Sequence, residues 1–451
     1  MNIKAVSTSK NIIPVKHEVK FNILEENIQR SIVVLEDYFD EKWLNKNQDH
    51  PLQLLWKRTD PLAISEIHSL AYSIKTVENI DKQWIRKKVD NYKNKTEMGA
   101  VFEIIAAAAL MKGEKQRIIL PPQKNPGYDL TIEYDDNSKI NVSCKQHKKS
   151  DHYKKFEEKS ERFKKRFINM GKSLRFNHLQ TTIYAIDHPN DQDWKLLENI
   201  FPTLLLQSYD KGISSLQKFI VGNWVIGISD LSKLEMKLSK SFFTYNILIN
   251  VPFHKNEIKN FLDRLDKGCH NLTTHSVLQD ENNINILFVS IGDNYSIDIC
   301  ELWAKEYLDK NLHKPIAGLY FIKPIINLDL ERGKRGIVYS IKFIKNDHFD
   351  YWNSDRENEI HLELPVAQGF IEEEPELHHL YEKRGEFSSE PAKNQEVYFY
   401  QEGKHYLDCT KKDRKFGSFG PRNQKYCVKR TAKGIEIHYL NTNPDHDFLI
   451  L

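Results

Sequence analysis

The sequence predicts a mixed α/β protein, with a helical N-terminal module, a mixed-sheet core and a mixed α/β to β-rich C-terminal region. Three observations predict it. Residues 20–95 carry apolar side chains at helical spacing, as in LEENIQRSIVVLEDYF and DPLAISEIHSLAYSIKTVEN. Residues 96–187 then read helix, strand, strand, strand, helix, strand. Beyond residue 236, strand-like runs such as NINILFVSIG alternate with helix-like runs such as YSIDICELWAKEYLDK, and short strands and Gly-rich turns follow from Gly385. The expected boundaries are 1–95, 96–235, 236–380 and 381–451.

A chain of 451 residues can bury two to four domain cores. Its composition, 40% hydrophobic and 29% charged, is that of a soluble globular protein. The formal charge of +3 excludes a global polybasic signature, so any nucleic-acid surface must come from local clustering. Cys144, Cys269, Cys300, Cys409 and Cys427 show no CxxC or Cys/His zinc spacing, which points to a reduced, cytoplasmic protein without a structural zinc knot. No signal-peptide apolar region opens the chain and no run of 18 apolar residues interrupts it, so no membrane partner is expected.

The N-terminal helices include Pro at a first-turn position after Asp60 and a more basic segment, IDKQWIRKKVDNYKNK. The next helix, from Thr96 to Met111, is apolar on every face except for Glu103. A buried carboxylate is costly unless it is paired, hydrogen-bonded or bound to a metal. Gly113 is expected to end this helix, RIILPP reads as a short strand, and QKNPGYD turns the chain into the strand DLTIEY. Alternation then sets Asp129, Thr131 and Glu133 on one face of that strand. In KINVSCK it sets Asn141, Ser143 and Lys145 on one face, opposite Ile140, Val142 and Cys144.

A short polar loop around DDNS makes the two strands an antiparallel hairpin. Directly opposed residues share a face, so matching the apolar faces pairs Asp129 with an odd-numbered residue. A three-residue loop opposes Asp129 to Ser143, and a five-residue loop opposes it to Lys145. Either loop gathers Asp129, Ser143 and Lys145 on one polar face. Glu133 shares that face but lies four residues, roughly 13 Å, further along the strand.

SDHYKKFEEKSERFKKRFINMGK is expected to be a helix capped by Ser150 and stopped by Gly171. Tyr153, Phe156, Phe163, Phe167 and Met170 form an aromatic-rich core stripe on it. Its other faces, with Lys148 and Lys149 just before it, carry an excess of one sign with few acids between: Lys154, Lys155, Lys159, Arg162, Lys164, Lys165 and Arg166 form a solvated charged face or, directly after the polar hairpin, suit phosphate contact. TTIYAID follows as a strand, DWKLLENIFPTLLLQSY as a helix interrupted at Pro202, and FIVGNWVIGIS as another strand. Cys269-His270 and His378-His379 are adjacent pairs that cannot easily chelate one ion. KKDRKFGSFGPRNQKY mixes basic and aromatic residues with glycine, as a nucleic-acid-contacting or simple surface loop would.

Two carboxylates, a strand carbonyl and a lysine are the inventory that phosphodiester hydrolysis requires. A hard divalent cation accepts oxygen ligands, and a lysine steadies charge or lowers the pKa of attacking water. Glu103, the PGYD turn ending in Asp129, and VSCKQ ending at Lys145 resemble the PD-(D/E)xK nuclease superfamily, with a restriction-endonuclease-like core. The resemblance covers roughly residues 96–190. It implies Asp129, the Cys144 carbonyl and Glu103 as Mg2+ or Mn2+ ligands, Lys145 as the residue assisting the nucleophilic water, and Gln146 as a contact to the substrate backbone. Ser143 stands where that family carries Glu or Asp, bringing an oxygen without charge. What the resemblance implies is a Mg2+-dependent endonuclease acting on double-stranded DNA in restriction or phage defence, working as a homodimer or with a defence-system partner. A catalytically silent nucleic-acid-binding subunit and an RNase using the same residues are the alternatives.

Overall fold

The computed structural model describes residues 25–46, 50–56, 61–95, 98–111, 116–121, 128–176, 178–210, 217–230, 244–275, 283–292, 295–310, 316–329, 334–348, 362, 364, 368–370, 397–405, 425–431 and 434–440. These form a mixed α/β protein that divides into two compact units. The first comprises residues 1–148, 258–372 and 444–451, and the second 149–257 and 373–443. This division differs from four consecutive segments, because strand pairing joins pieces of chain that are remote in sequence.

In the first unit, helices α1 (Glu25–Phe39), α2 (Glu41–Leu44), α3 (Pro51–Trp56), α4 (Pro61–Glu78), α5 (Lys82–Lys95) and α6 (Met98–Leu110) precede a hairpin ribbon. The ribbon is β1 (Gln116–Ile119), β2 (Leu130–Tyr134) and β3 (Lys139–His147). The N-terminal helices are helical as expected but do not form a core of their own. Leu35, Ile74, Trp84 and Tyr92 belong to the same buried cluster as α6 and Ile140, Val142 and Cys144 of β3. Burying a continuous apolar surface between helix and sheet is the main stabilising contribution such layers can make.

The second unit holds α7 (Asp151–Ser173), β4 (His178–Ala185), α8 (Asp191–Asp210), β5 (Gln217–Val221), β6 (Trp224–Asp230) and β7 (Thr244–Pro252). The chain then returns to the first unit through α9 (Glu257–His275), β8 (Asn283–Ile291), α10 (Ile297–Lys310), β9 (Gly318–Asp329), β10 (Lys334–Lys345) and β11 (Gln368–Phe370). β12 (Val397–His405), β13 (Lys425–Thr431) and β14 (Gly434–Leu440) belong to the second unit.

The first unit's sheet has the order β1-β2-β3-β8-β9-β10-β11. β3 runs parallel to β8 and β8 parallel to β9, while the outer pairs are antiparallel. The second unit's sheet has the order β12-β7-β4-β6-β5, with only β4 and β7 parallel. The stretch 96–187, expected as one mixed-sheet core, is therefore divided between the two sheets. β4 pairs with β6 and β7, and the parallel neighbour of β3 is β8, reached through α9.

Three local expectations are also corrected. FIVGNWVIGIS is a hairpin, not one strand: β5 turns into β6 at Gly222, whose φ of 54° lies in the left-handed region that glycine tolerates. α8 runs through Pro202 without a break. Gly171 does not stop α7, which continues to Ser173; it is buried where the Tyr245 ring occupies the space a side chain would need. Ser150 does cap α7, accepting the Tyr153 N–H at 3.0 Å, and Tyr153, Phe156, Phe163 and Phe167 are core residues as expected. Gly113, residues 126–127 of the PGYD turn, His378-His379 and most of KKDRKFGSFGPRNQKY lie outside the described residues. Among the described residues, no helix is long and apolar enough to cross a membrane.

α9 lies against the polar-residue face of β3 at Gly268. A Cβ there would meet the Leu287 side chain and stand 3.3 Å from Lys145 Cγ. Helix propensity alone predicts that Gly268→Ala stabilises by about 1 kcal/mol. Overpacking against the fully buried Leu287 reverses that sign, so the variant is expected to lose ~1–3 kcal/mol in urea denaturation. A gain in stability would show that α9 does not sit tightly on this face.

Candidate functional site

The hairpin register is set by its loop. Tyr134 N–H donates to the Ser138 carbonyl at 3.0 Å and Asn137 adopts a positive φ of 66°, so three residues, 135–137, make the turn. The ladder then pairs Glu133 with Lys139, Thr131 with Asn141 and Leu130 with Val142. Continued by one step, the same register sets Asp129 opposite Ser143, which is the shorter-loop arrangement. Asp129 N–H donates to the Val142 carbonyl at 2.9 Å. The polar face carries its own hydrogen bonds: Thr131 Oγ1 donates to Asn141 Oδ1 at 3.0 Å, and Asn141 Nδ2 to Asn285 Oδ1 at 3.3 Å. Ile140, Val142 and Cys144 face the opposite way, into the core beneath α6.

β2 begins at Leu130, so it ends its pairing before it reaches Cys144. A buried amide left without a partner is costly. The Asp129 carboxylate takes the place of the missing strand: its Oδ2 accepts the Cys144 N–H at 2.6 Å and the Ser143 hydroxyl at 3.3 Å. Lys145 Nζ stands 3.9 Å from the same oxygen and donates to the Cys144 carbonyl at 3.3 Å. Asp129 and Lys145 keep 22% and 23% side-chain exposure, enough to meet a ligand, whereas Ser143 is fully buried.

Glu103 approaches from α6, where every other residue from Ala100 to Leu110 is buried. Lys88 of α5 forms an ion pair with its Oε2. Burial, reinforced by the charge of Asp129, pushes the Glu103 carboxyl up to about 7 against the opposing pull of Lys88 and Lys145. The two carboxylates thus sense each other, and each has a lysine beside it.

Glu133 does not join them, because Arg117 and Lys139 pair with it and hold its carboxyl below the usual carboxylate range. The Gln146 carbonyl accepts a hydrogen bond from Arg264, and its buried Oε1 has no hydrogen-bond partner among the described residues. Gln146 and Lys148 belong to the first unit, Lys149, Lys154 and Lys155 to the second. Lys149 pairs with Glu157 at 3.0 Å and Lys154 with Asp151 at 3.3 Å, so acids of α7 itself partly neutralise its basic excess.

Sequence reasoning missed three residues. Lys88 lies in the basic segment IDKQWIRKKVDNYKNK, and the packing of α5 on α6 brings it to Glu103. Arg264 reaches Gln146 across 118 residues of sequence. His147 follows the site on β3 and is fully buried between Phe261 and Tyr295, at ring distances of 5.0 and 4.2 Å. Burial and Arg264 hold it neutral, down to about 3. The alternation that put Lys145 on the polar face also marked His147, two residues further along.

The oxygen donors suit a hard divalent cation. Magnesium is bound through one or two carboxylates with water and phosphate completing the shell, and Glu103, Asp129 and the Cys144 carbonyl supply that many protein oxygens. Among the described residues, no three His, Cys, Asp or Glu side chains come together as metal ligands. The chain matches no protein-family model, no curated protein and no solved structure.

An unfolded glutamate titrates near 4.5 and Glu103 in the fold near 7, so the folded state holds the proton more tightly. The stability this provides is full below 4.5 and lost as pH rises through 7. Without divalent metal, wild type is therefore expected to lose up to roughly 3 kcal/mol relative to Glu103→Gln between pH 5 and 8. Urea denaturation at each pH measures it; parallel pH profiles would mean that Glu103 carries no such strain.

Proposed function

We propose that this protein is a Mg2+- or Mn2+-dependent endonuclease acting on DNA phosphodiester bonds, in a restriction or phage-defence setting. The observation that carries the reading is the carboxylate–lysine pair at the end of the hairpin, Asp129 Oδ2 to Lys145 Nζ at 3.9 Å, with the Glu103 carboxyl held up by burial and by the charge of Asp129. The order α6, β1, β2, β3, α9, β8, with β8 parallel to β3, supports a PD-(D/E)xK-like core into which the second unit's first segment is inserted.

In this reading Glu103, Asp129 and the Cys144 carbonyl hold the cation. When bound, that cation polarises the phosphoryl oxygen and lowers the pKa of water. Asp129 keeps Oδ2 clamped by the Cys144 amide, which fixes the carboxylate's orientation and leaves Oδ1 to point at a ligand. Lys145, anchored on a central strand, steadies negative charge on the phosphate and helps deprotonate the attacking water. Ser143 orients Asp129 through its hydroxyl and contributes no charge. Lys88 offsets the charge of Glu103 until metal and substrate arrive.

A second reading, a silent nucleic-acid-binding subunit, is favoured by the Lys88–Glu103 and Lys145–Asp129 pairings, which already neutralise both carboxylates. Plasmid cleavage with Mg2+ or Mn2+ separates the two. Asp129→Ala and Lys145→Ala are each expected to reduce the rate at least a hundredfold. Equal nicking by wild type and both variants would sink the site assignment, and DNA binding without cleavage would favour the silent reading. Ser143→Glu is expected to tighten Mg2+ binding and to destabilise the metal-free protein, because its carboxylate would face Asp129.

A further inference from the structure

The second unit contains a cleft of about 1000 Å³ that none of Glu103, Asp129, Ser143 and Lys145 lines. Three imidazoles converge on it from separate segments: His152 in the first turn of α7, His188 in the loop after β4, and His254 just beyond β7. His152 and His254 stack face to face, with centroids 3.4 Å apart and planes inclined by 13°. His188 meets His254 edge-on at 5.0 Å. Lys155, Lys159 and Lys255 also line the cleft.

The tautomers follow from the partners. His188 Nδ1 lies 2.9 Å from the Pro252 carbonyl, which can only accept, so this nitrogen carries the hydrogen and Nε2 is bare in the neutral ring. His254 Nδ1 accepts the Asn256 N–H at 3.3 Å, which leaves the neutral ring's hydrogen on Nε2. Two aspartates oppose this basic lining. Asp191 is ion-paired with Lys159 and also feels Lys155, and Asp187 is the second acid of the lining. α7 and α8, of 23 and 20 residues, both start at this cleft, so the positive ends of two helix dipoles add to it.

A shared metal does not suit this arrangement. Stacked rings present their faces to each other and not their nitrogen lone pairs to a common point. Among the described residues no three His, Cys, Asp or Glu side chains come together as ligands. An anion does suit it: burial first, and then the charge of neighbouring imidazoles, hold His188 and His254 below the usual histidine range against the opposing pull of Glu257, and a bound anion favours the charged form of both rings. The cleft is several times larger than a phosphate ion, and half-buried Phe253 with buried Trp194 lends it an apolar wall. Space and wall together call for a phosphate attached to something larger.

We propose that this cleft binds a phosphomonoester, either of a free nucleotide or of a 5′-phosphorylated nucleic-acid end, through Lys155, Lys255 and the His188–His254 pair. The site shares none of Glu103, Asp129, Ser143 and Lys145, and it stands or falls independently of the nuclease reading.

Calorimetric titration of the full chain with AMP, adenosine, a 5′-phosphorylated dinucleotide and its 5′-hydroxyl counterpart tests it. AMP is expected to bind at least tenfold more tightly than adenosine. Lys155→Gln/Lys255→Gln, which alters two exposed side chains, is expected to weaken AMP binding at least tenfold with an unchanged circular-dichroism spectrum. Tighter binding of the phosphorylated dinucleotide than of AMP assigns the nucleic-acid end, and the reverse order assigns the free nucleotide. Equal binding of AMP and adenosine, unchanged affinity in the double variant, or binding of zinc without any response to AMP would each overturn the proposal.

Discussion

The first unit depends on the parallel pairing of β3 with β8. Within the sheet, among the described residues, it links the β1-β2-β3 ribbon to β9, β10 and β11, matching Lys139–His147 with Asn283–Ile291 along nine residues of each strand. Between the two strands the chain builds much of a second unit before it returns. Such a ladder carries a loop-closure cost that is recovered only when both sheet faces are covered. α6 covers one face and α9 lies against the other at Gly268, and β8 is accordingly buried from Ile284 to Ile291.

Polar residues inside such a sheet need partners, and the way they find them creates the candidate site. Thr131, Asn141 and Asn285 form a hydrogen-bonded row across three strands. Where β2 stops, that row gives way to Asp129, which completes the ladder with its side chain. One carboxylate oxygen thus does structural work at the point where the Cys144 carbonyl and Lys145 emerge. Ser143 belongs to the same balance. Each of the two carboxylates has one lysine, and a third carboxylate at position 143 would stand unpaired in a fully buried position.

In the second unit, the stripe of Tyr153, Phe156, Phe163 and Phe167 is core, as its spacing implies. Its cations behave less simply than their density suggests: Arg162 and Arg166 both pair with Glu198, and Lys159 with Asp191. Pairs with one partner at the surface contribute little. The three-histidine cleft went unseen in the sequence because its imidazoles come from positions 152, 188 and 254, with no motif linking them.

Sequence alone determined what periodicity and turn chemistry encode. It assigned the α6 helix with one charge, the hairpin of β2 and β3, the shared face of Asp129, Ser143 and Lys145, the Ser150 cap and the mixed α/β class. These rest on interactions within a few residues or across one tight turn, where alternation and capping act directly. Tertiary structure decided the rest. It chose the three-residue loop, brought Lys88 to Glu103, made β8 rather than β4 the neighbour of β3, and let Gly171 and Pro202 sit within helices. Those outcomes follow from which distant strand offers a matching apolar face and from what packs over it, a competition between surfaces that no local pattern records.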